Sequence, residues 1–158
     1  MFESPEGGFA RMKYLGNGDF KRVKVDEPQK YTKLGFIAGG SGITPCFSMM
    51  QASIKSGETC ITEMGLLFSN KTEGDILIKD EIEELQKMRS DLKVGHTLTR
   101  QEEVPEGMFK GRITREMIEK TLPAPSDSTL IFICGPQALR EHLEKILFEM
   151  GYTEAMLN

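Results

Sequence analysis

Long apolar runs are missing from this sequence, and nothing in it approaches the roughly 20 consecutive apolar residues a membrane-spanning helix needs. An excess of positive charge is missing too. Lys and Arg total 20 against 24 Asp and Glu, a net charge of -4, which leaves no basic footprint for nucleic acid. Histidine occurs twice and cysteine three times. Cys46, Cys60 and Cys134 lack metal-ligand spacing, and their odd number argues against a disulfide framework, so neither a metal nor a disulfide scaffold is expected. The first eight residues, Met1 to Gly8, have neither the basic region nor the apolar stretch of a signal peptide. A reducing compartment is therefore expected: cytoplasmic, or the cytosolic face of a membrane if an anchor lies outside these residues. No internal repeat or low-complexity tract interrupts the chain.

What is present is a chain of 158 residues, 39% apolar and 28% charged, the composition of an ordinary globular domain able to bury a core. Its most informative stretch is Gly39-Gly40-Ser41-Gly42-Ile43-Thr44-Pro45, between the apolar run Leu34–Ala38 and the apolar-spaced segment from Cys46 to Ile54. That order reads as strand, glycine turn, helix. Without Cβ atoms, Gly39, Gly40 and Gly42 can take positive φ and let a ligand approach the backbone. The unpaired amides and dipole of the helix's first turn favour an anion there. Thr44 is expected to cap the helix, with Pro45 in its first position. A phosphate-bearing ligand fits, although Pro45 stands where the dinucleotide fingerprint G-x-G-x-x-G has its third glycine.

The remaining chain alternates. A helix from Pro45 to about Ser56, stopped by Gly57, precedes a strand over 59–68, and Ser69-Asn70-Lys71-Thr72 turns away from it. A helix over 76–89 has Ile78, Ile82 and Leu85 facing inward and Asp80, Glu81, Glu83 and Glu84 outward. A strand over 92–99 and a polar loop over 100–110 follow. A helix over 114–122 begins with Thr114 as its cap. A Pro-rich linker leads into a strand over 130–134, and a helix over 136–150 carries Leu139, Leu143, Ile146, Leu147 and Met150 along one stripe. The fold class is therefore α/β: an open parallel sheet of about five strands with helices on both faces, Rossmann-like and suited to nucleotides. Residues 1–32 differ, being rich in Gly, Lys and Glu. They suggest two short strands, around 9–14 and 20–25, joined at Gly16-Asn17-Gly18.

Ligands of open parallel sheets bind beyond the carboxyl ends of the strands. The residues placed there are Gly39–Gly42, Ser69-Asn70, Thr99-Arg100 and Cys134-Gly135-Pro136. No acid/base pair, nucleophile triad or metal set is among them, and His96 and His142 read as structural. Hydrogen-bonding and phosphate-binding groups alone suit a cofactor that brings its own chemistry.

Gly39–Pro45, together with Cys134-Gly135-Pro136, resembles the nucleotide-binding motifs of the ferredoxin-NADP reductase superfamily, nearest its cytochrome b5 reductase and nitrate reductase branch. The resemblance covers about 33–155. It implies an NAD(P)-binding domain over 33–158, preceded in 1–32 by the tail of a flavin-binding domain; an N-terminal arm pairing with the main sheet is the alternative. It implies NADP or NAD as cofactor, with FAD only if the flavin domain is present, and a haem or iron-sulfur electron acceptor as partner. By the same resemblance Gly40, Ser41, Gly42 and Thr44 hold the pyrophosphate. Cys134 lies beside the nicotinamide, and with Gly135 and Pro136 shapes the place where hydride passes to the flavin.

Two departures matter. The cytochrome b5 reductase branch has Asp-Arg where this chain has Thr99-Arg100, and the NADP-using branch has Ser-Arg. A hydroxyl beside a guanidinium suits a 2′-phosphate, with Lys110 and Arg112 able to add charge, so the reading leans to NADPH while leaving NADH open. The family's flavin-binding Arg-x-Tyr-Ser/Thr pattern is absent. The chain is therefore expected to be only the nucleotide-binding part of an NAD(P)H-dependent flavoprotein oxidoreductase. A nucleotide-binding regulatory module without redox activity is the alternative, and a self-sufficient dehydrogenase is weaker, since no catalytic His, Tyr or Lys ends a strand.

Overall fold

The computed structural model describes residues 12–16, 19–22, 29–55 and 61–157. The expected turn at 17–18, the helix stop at Gly57 and the thiol of Cys60 lie outside them. Three short strands come first: β1 (Met12–Gly16), β2 (Asp19–Arg22) and β3 (Gln29–Lys30). They form an antiparallel sheet of their own, in the order β1-β2-β3. Among the described residues these three strands pair only with one another.

The main sheet is built from β4 (Lys33–Gly39), β5 (Glu63–Asn70), β6 (Lys93–Leu98), β7 (Phe109–Lys110) and β8 (Thr129–Cys134), all parallel, in the order β7-β6-β5-β4-β8. Chain order reverses beside β4, the first of these strands, whose neighbours are β5 and β8. Register levels the strand ends: Gly39 stands opposite Ser69, Ala38 opposite Cys134, and Asn70 opposite Leu98. Four loops therefore open at one rim.

Helices cover both faces. Residues Cys46, Met49 and Met50 of α1 (Ile43–Lys55) and Ile82 and Leu85 of α2 (Lys79–Met88) pack with Leu34, Phe36, Leu66, Phe68 and Phe132 on one side. The Phe36 and Phe132 rings stack there, with centroids 5.0 Å apart. On the other side, Met117 and Ile118 of α3 (Arg115–Thr121) and Leu143 and Leu147 of α4 (Gln137–Glu149) cover Ile37, Leu67, Ile131 and Ile133. Successive strand residues point to opposite faces, so one strand feeds both cores.

Some expectations need correction. The loop expected over 100–110 ends in β7, which pairs Phe109 and Lys110 with Thr97 and Leu98; two ladder positions are too few for a periodic signal. The helix expected over 76–89 starts only at Lys79, because Ile78 takes left-handed φ (48°) after a 3-10 turn at Glu73–Asp75. Ile82 and Leu85 are buried as expected, and Asp80, Glu81, Glu83 and Glu84 are exposed. Thr114 does cap its helix, accepting from the Met117 amide.

Candidate functional site: a cleft over the carboxyl rim of the sheet

The glycine turn is a 3-10 turn, Gly40–Gly42, leading directly into α1. Its three glycines serve three different ends. Gly40 alone among them has positive φ (54°), and a Cβ there would meet nothing within 4 Å. Gly42 is held against the end of β8, where a Cβ would overlap the Cys134 carbonyl. Gly39 is extended (φ -127°), and a Cβ on it would come within 2.7 Å of Leu139 Cδ2. The freedom expected of all three is used at one. Thr44 does not cap: α1 already begins at Ile43, so Thr44 is its second residue and Pro45 its third. The Thr44 carbonyl accepts from Ser48 Oγ at 3.2 Å, and the Thr44 side chain is exposed.

A cleft of about 880 Å³ opens over this turn. Of the residues expected at the site, Gly39, Gly40, Ser41, Gly42, Pro45, Ser69, Asn70, Thr99, Cys134, Gly135 and Pro136 line it. Thr44 and Arg100 do not. Lys71, Asp75 and Leu139 line it as well, and sequence reasoning missed all three as site residues. Lys71 directly follows the β5 end, so the topology carried its signal; Leu139 stood on the expected apolar stripe of α4. Asp75 comes to the rim through the 3-10 turn after β5, which no periodicity announces.

The loops after β5 and β6 are laced together. The Thr99 amide donates to the Asn70 carbonyl and the Arg100 amide to the Lys71 carbonyl, both at 2.9 Å. The Glu73 amide donates to Gln101 Oε1 at 2.8 Å. Asp75 Oδ2 accepts from both the amide (3.1 Å) and the hydroxyl (2.9 Å) of Thr72. Asn70 is buried, and its Nδ2 has no hydrogen-bond partner among the described residues. A buried donor left unpaired at a cleft wall is costly unless something else accepts from it.

Cys134 is half-buried, and burial raises its thiol pKa despite the opposing charge of Arg140. Cys46, fully buried on the inner face of α1, is pushed well up by burial, with the charge of Cys134 adding to the shift. Both are thiols at neutral pH, so neither is poised as a nucleophile. The histidines stand apart from the cleft. His142 Nε2 lies 2.9 Å from the Ile113 carbonyl, and His96 lies tilted against Phe68 at 5.9 Å. No group of three His, Cys, Asp or Glu side chains among the described residues could hold a metal ion. No described helix is long and apolar enough to cross a membrane.

The arrangement fits a pyridine dinucleotide. The open space above Gly40 admits a pyrophosphate close to the backbone, the cleft is of small-ligand size, and walls of backbone, amide and hydroxyl groups flank it on two sides. Comparison with known proteins shows the family. The model of the oxidoreductase NAD-binding domain matches residues 36–145. NADH-cytochrome b5 reductase 1 of Homo sapiens is 36% identical over 167 residues, covering 98% of this chain and 51% of that protein. The nitrate reductase (NADPH) of Emericella nidulans is 33% identical over 157 residues, 97% of this chain but 17% of its own length. The cytochrome b5 reductase domain of Ulva prolifera nitrate reductase superposes with a TM-score of 0.84 at 29% identity, covering 93% of this chain and 54% of that one. This chain thus spans about half the length of the curated cytochrome b5 reductase it matches, and less of the nitrate reductase. With the matched domain running from the middle of β4 through most of α4, the chain belongs to the oxidoreductase NAD-binding domain family, among relatives that are cytochrome b5 reductases and nitrate reductases.

Proposed function

We propose that this chain is the nucleotide-binding part of a flavin-dependent reductase, taking NADH or NADPH in the cleft and presenting it to FAD held by a flavin-binding domain. The observation that carries the reading is the juxtaposition of the Gly40–Gly42 turn with Cys134–Pro136, where β4 and β8 end side by side. Gly40, Ser41 and Gly42 hold the pyrophosphate with backbone amides at the head of α1. Cys134, Gly135 and Pro136 form the wall beside the nicotinamide, and Ser69, Asn70 and Thr99 the wall on the adenosine side. When bound, the nicotinamide supplies the hydride. The protein's own contribution is orientation: Gly42 packed on the Cys134 carbonyl fixes the distance between the phosphate cradle and the nicotinamide wall. Leu139 underlies both, within 2.7 and 2.8 Å of where Cβ atoms would stand on Gly39 and Gly135.

The separate sheet of β1, β2 and β3 supports reading residues 1–32 as the tail of the flavin domain. Electrons then leave the flavin for a haem or iron-sulfur acceptor, in a cytoplasmic setting or at the cytosolic face of a membrane. Calorimetric titration of the chain with NAD+ and with NADP+ is the direct test. One site per chain for at least one of them is expected, and heat from neither overturns the reading.

A further inference from the structure

Among the described residues lining the cleft, Lys71 and Asp75 are the ones with charge-bearing side chains, and both belong to the loop after β5. Resting on the nucleotide reading above, we propose that Lys71, and not Arg100, sets how well the site accepts a 2′-phosphorylated nucleotide. The two residues are neighbours, with the Arg100 amide bonded to the Lys71 carbonyl at 2.9 Å, yet of the two only Lys71 lines the cleft. Arg100 is exposed and lies outside the lining.

Position supports the assignment. Neighbouring strands stand about 4.8 Å apart, so the β5 loop lies roughly 5 Å to the side of the glycine turn, opposite the β8 wall. A dinucleotide whose pyrophosphate rests on Gly40–Gly42, with its nicotinamide toward Cys134, carries its adenosine ribose toward Lys71. Lys71 has no ion pair among the described residues, so its ammonium is available to an incoming phosphate. Asp75 carries the opposite sign but is engaged: one carboxylate oxygen takes both Thr72 donors and so braces the loop that presents Lys71.

The charge balance of the cleft makes the prediction sharp. With Lys71 and Asp75 both present the lining is neutral. Lys71→Gln leaves the acidic Asp75 unbalanced among the described lining residues, which disfavours a 2′-phosphate and leaves free ribose hydroxyls unharmed. Calorimetry of Lys71→Gln and Arg100→Gln with each nucleotide, at one fixed ionic strength, reads this out. Lys71→Gln is expected to weaken NADP+ roughly tenfold to a hundredfold, as for loss of a charge-assisted contact, with NAD+ changed less than about threefold. Lys71→Arg, which keeps the charge, is expected to retain most of the NADP+ affinity. An unchanged NADP+/NAD+ ratio in Lys71→Gln overturns the proposal while the nucleotide reading stands, as does a larger loss of NADP+ in Arg100→Gln. A wild-type chain that binds neither nucleotide overturns both.

Discussion

Gly40 and Gly42 are two residues apart, and their substitution should fail in different ways. At Gly40 an alanine meets no atom but must hold φ near 54°, a left-handed strain of about 1–2 kcal/mol, while its methyl projects into the space a pyrophosphate would use. At Gly42 the methyl overlaps the Cys134 carbonyl and crowds the Gly135 amide at 3.0 Å, backbone atoms that cannot rotate aside. Overpacking of that kind costs about 1–3 kcal/mol. Gly40→Ala is thus expected to lower nucleotide affinity at least tenfold with a modest fall in Tm. Gly42→Ala should lower Tm by several degrees, at about 2–4 °C per kcal/mol for a domain of this size, and should also disturb the β8 wall. Thermal unfolding and titration of both variants separate the two effects; equal losses of affinity with equal Tm would refute the division of labour. The sequence announced a glycine turn but not which glycine did what. Gly40 is dictated by local conformation and Gly42 by a strand more than 90 residues away, and contact at that range leaves no mark in a local pattern.

At the scale of elements the same distinction recurs. Strands β4, β5, β6 and β8 and all four helices were legible, because each has enough residues to show its period against a buried face. What stayed hidden was close approach between elements. Gly65 in β5 faces the end of α3, where a Cβ would overlap the Thr121 carbonyl, and a Cβ on Gly95 in β6 would stand 2.9 Å from Thr121 Oγ1 and 3.0 Å from Phe109. These glycines let the last turn of α3 sit directly on the sheet. Nothing in the alternation of apolar residues says so, and a glycine in a strand reads from sequence only as a weak point. Gly65→Ala is expected to lever α3 outward, at a cost of about 1–3 kcal/mol in denaturant unfolding. Because α3 packs away from the cleft lining, nucleotide affinity of the folded variant should stay within about threefold of wild type. A large loss of affinity at unchanged stability would mean that α3 reaches the cleft. Strand ends account for most of the expected residues that line the cleft, but not for Thr44 and Arg100, which do not line it; Lys71 directly follows a strand end, whereas Asp75 depends on how the loop after β5 folds.

For the whole molecule, the closing contact is made by the segment after α4. Tyr152, buried at 3% exposure, donates its hydroxyl to the Pro123 carbonyl in the linker before β8, and Leu157 bridges to Ile131 in parallel fashion. The chain's last described residues are thereby tied to the second core, where Tyr152 and Leu157 pack with Ile118, Leu122 and Leu147. Burial, reinforced by the charges of Glu63 and Glu119, raises the Tyr152 pKa from 10.0 to about 12. The sign follows from linkage. A folded-state pKa above the unfolded one means the native protein holds the proton more tightly. The resulting stability is fully present below about pH 10 and is lost as pH rises through about 12. Two pH units correspond to about 2–3 kcal/mol at most, since each unit is 1.36 kcal/mol. The informative quantity is the difference between wild type and Tyr152→Phe. The variant leaves the buried Pro123 carbonyl without its donor and is expected to be less stable by about 1–3 kcal/mol at pH 7. As pH climbs from about 10 to 12 that gap should close, because the unfolded wild-type phenol ionises while the native one still holds its proton, which favours unfolding of wild type and leaves the Phe variant untouched. Urea unfolding of both proteins at stepped pH measures it directly. A gap that stays constant to pH 12 would show that the Tyr152 hydroxyl does not link the end of the chain to the core.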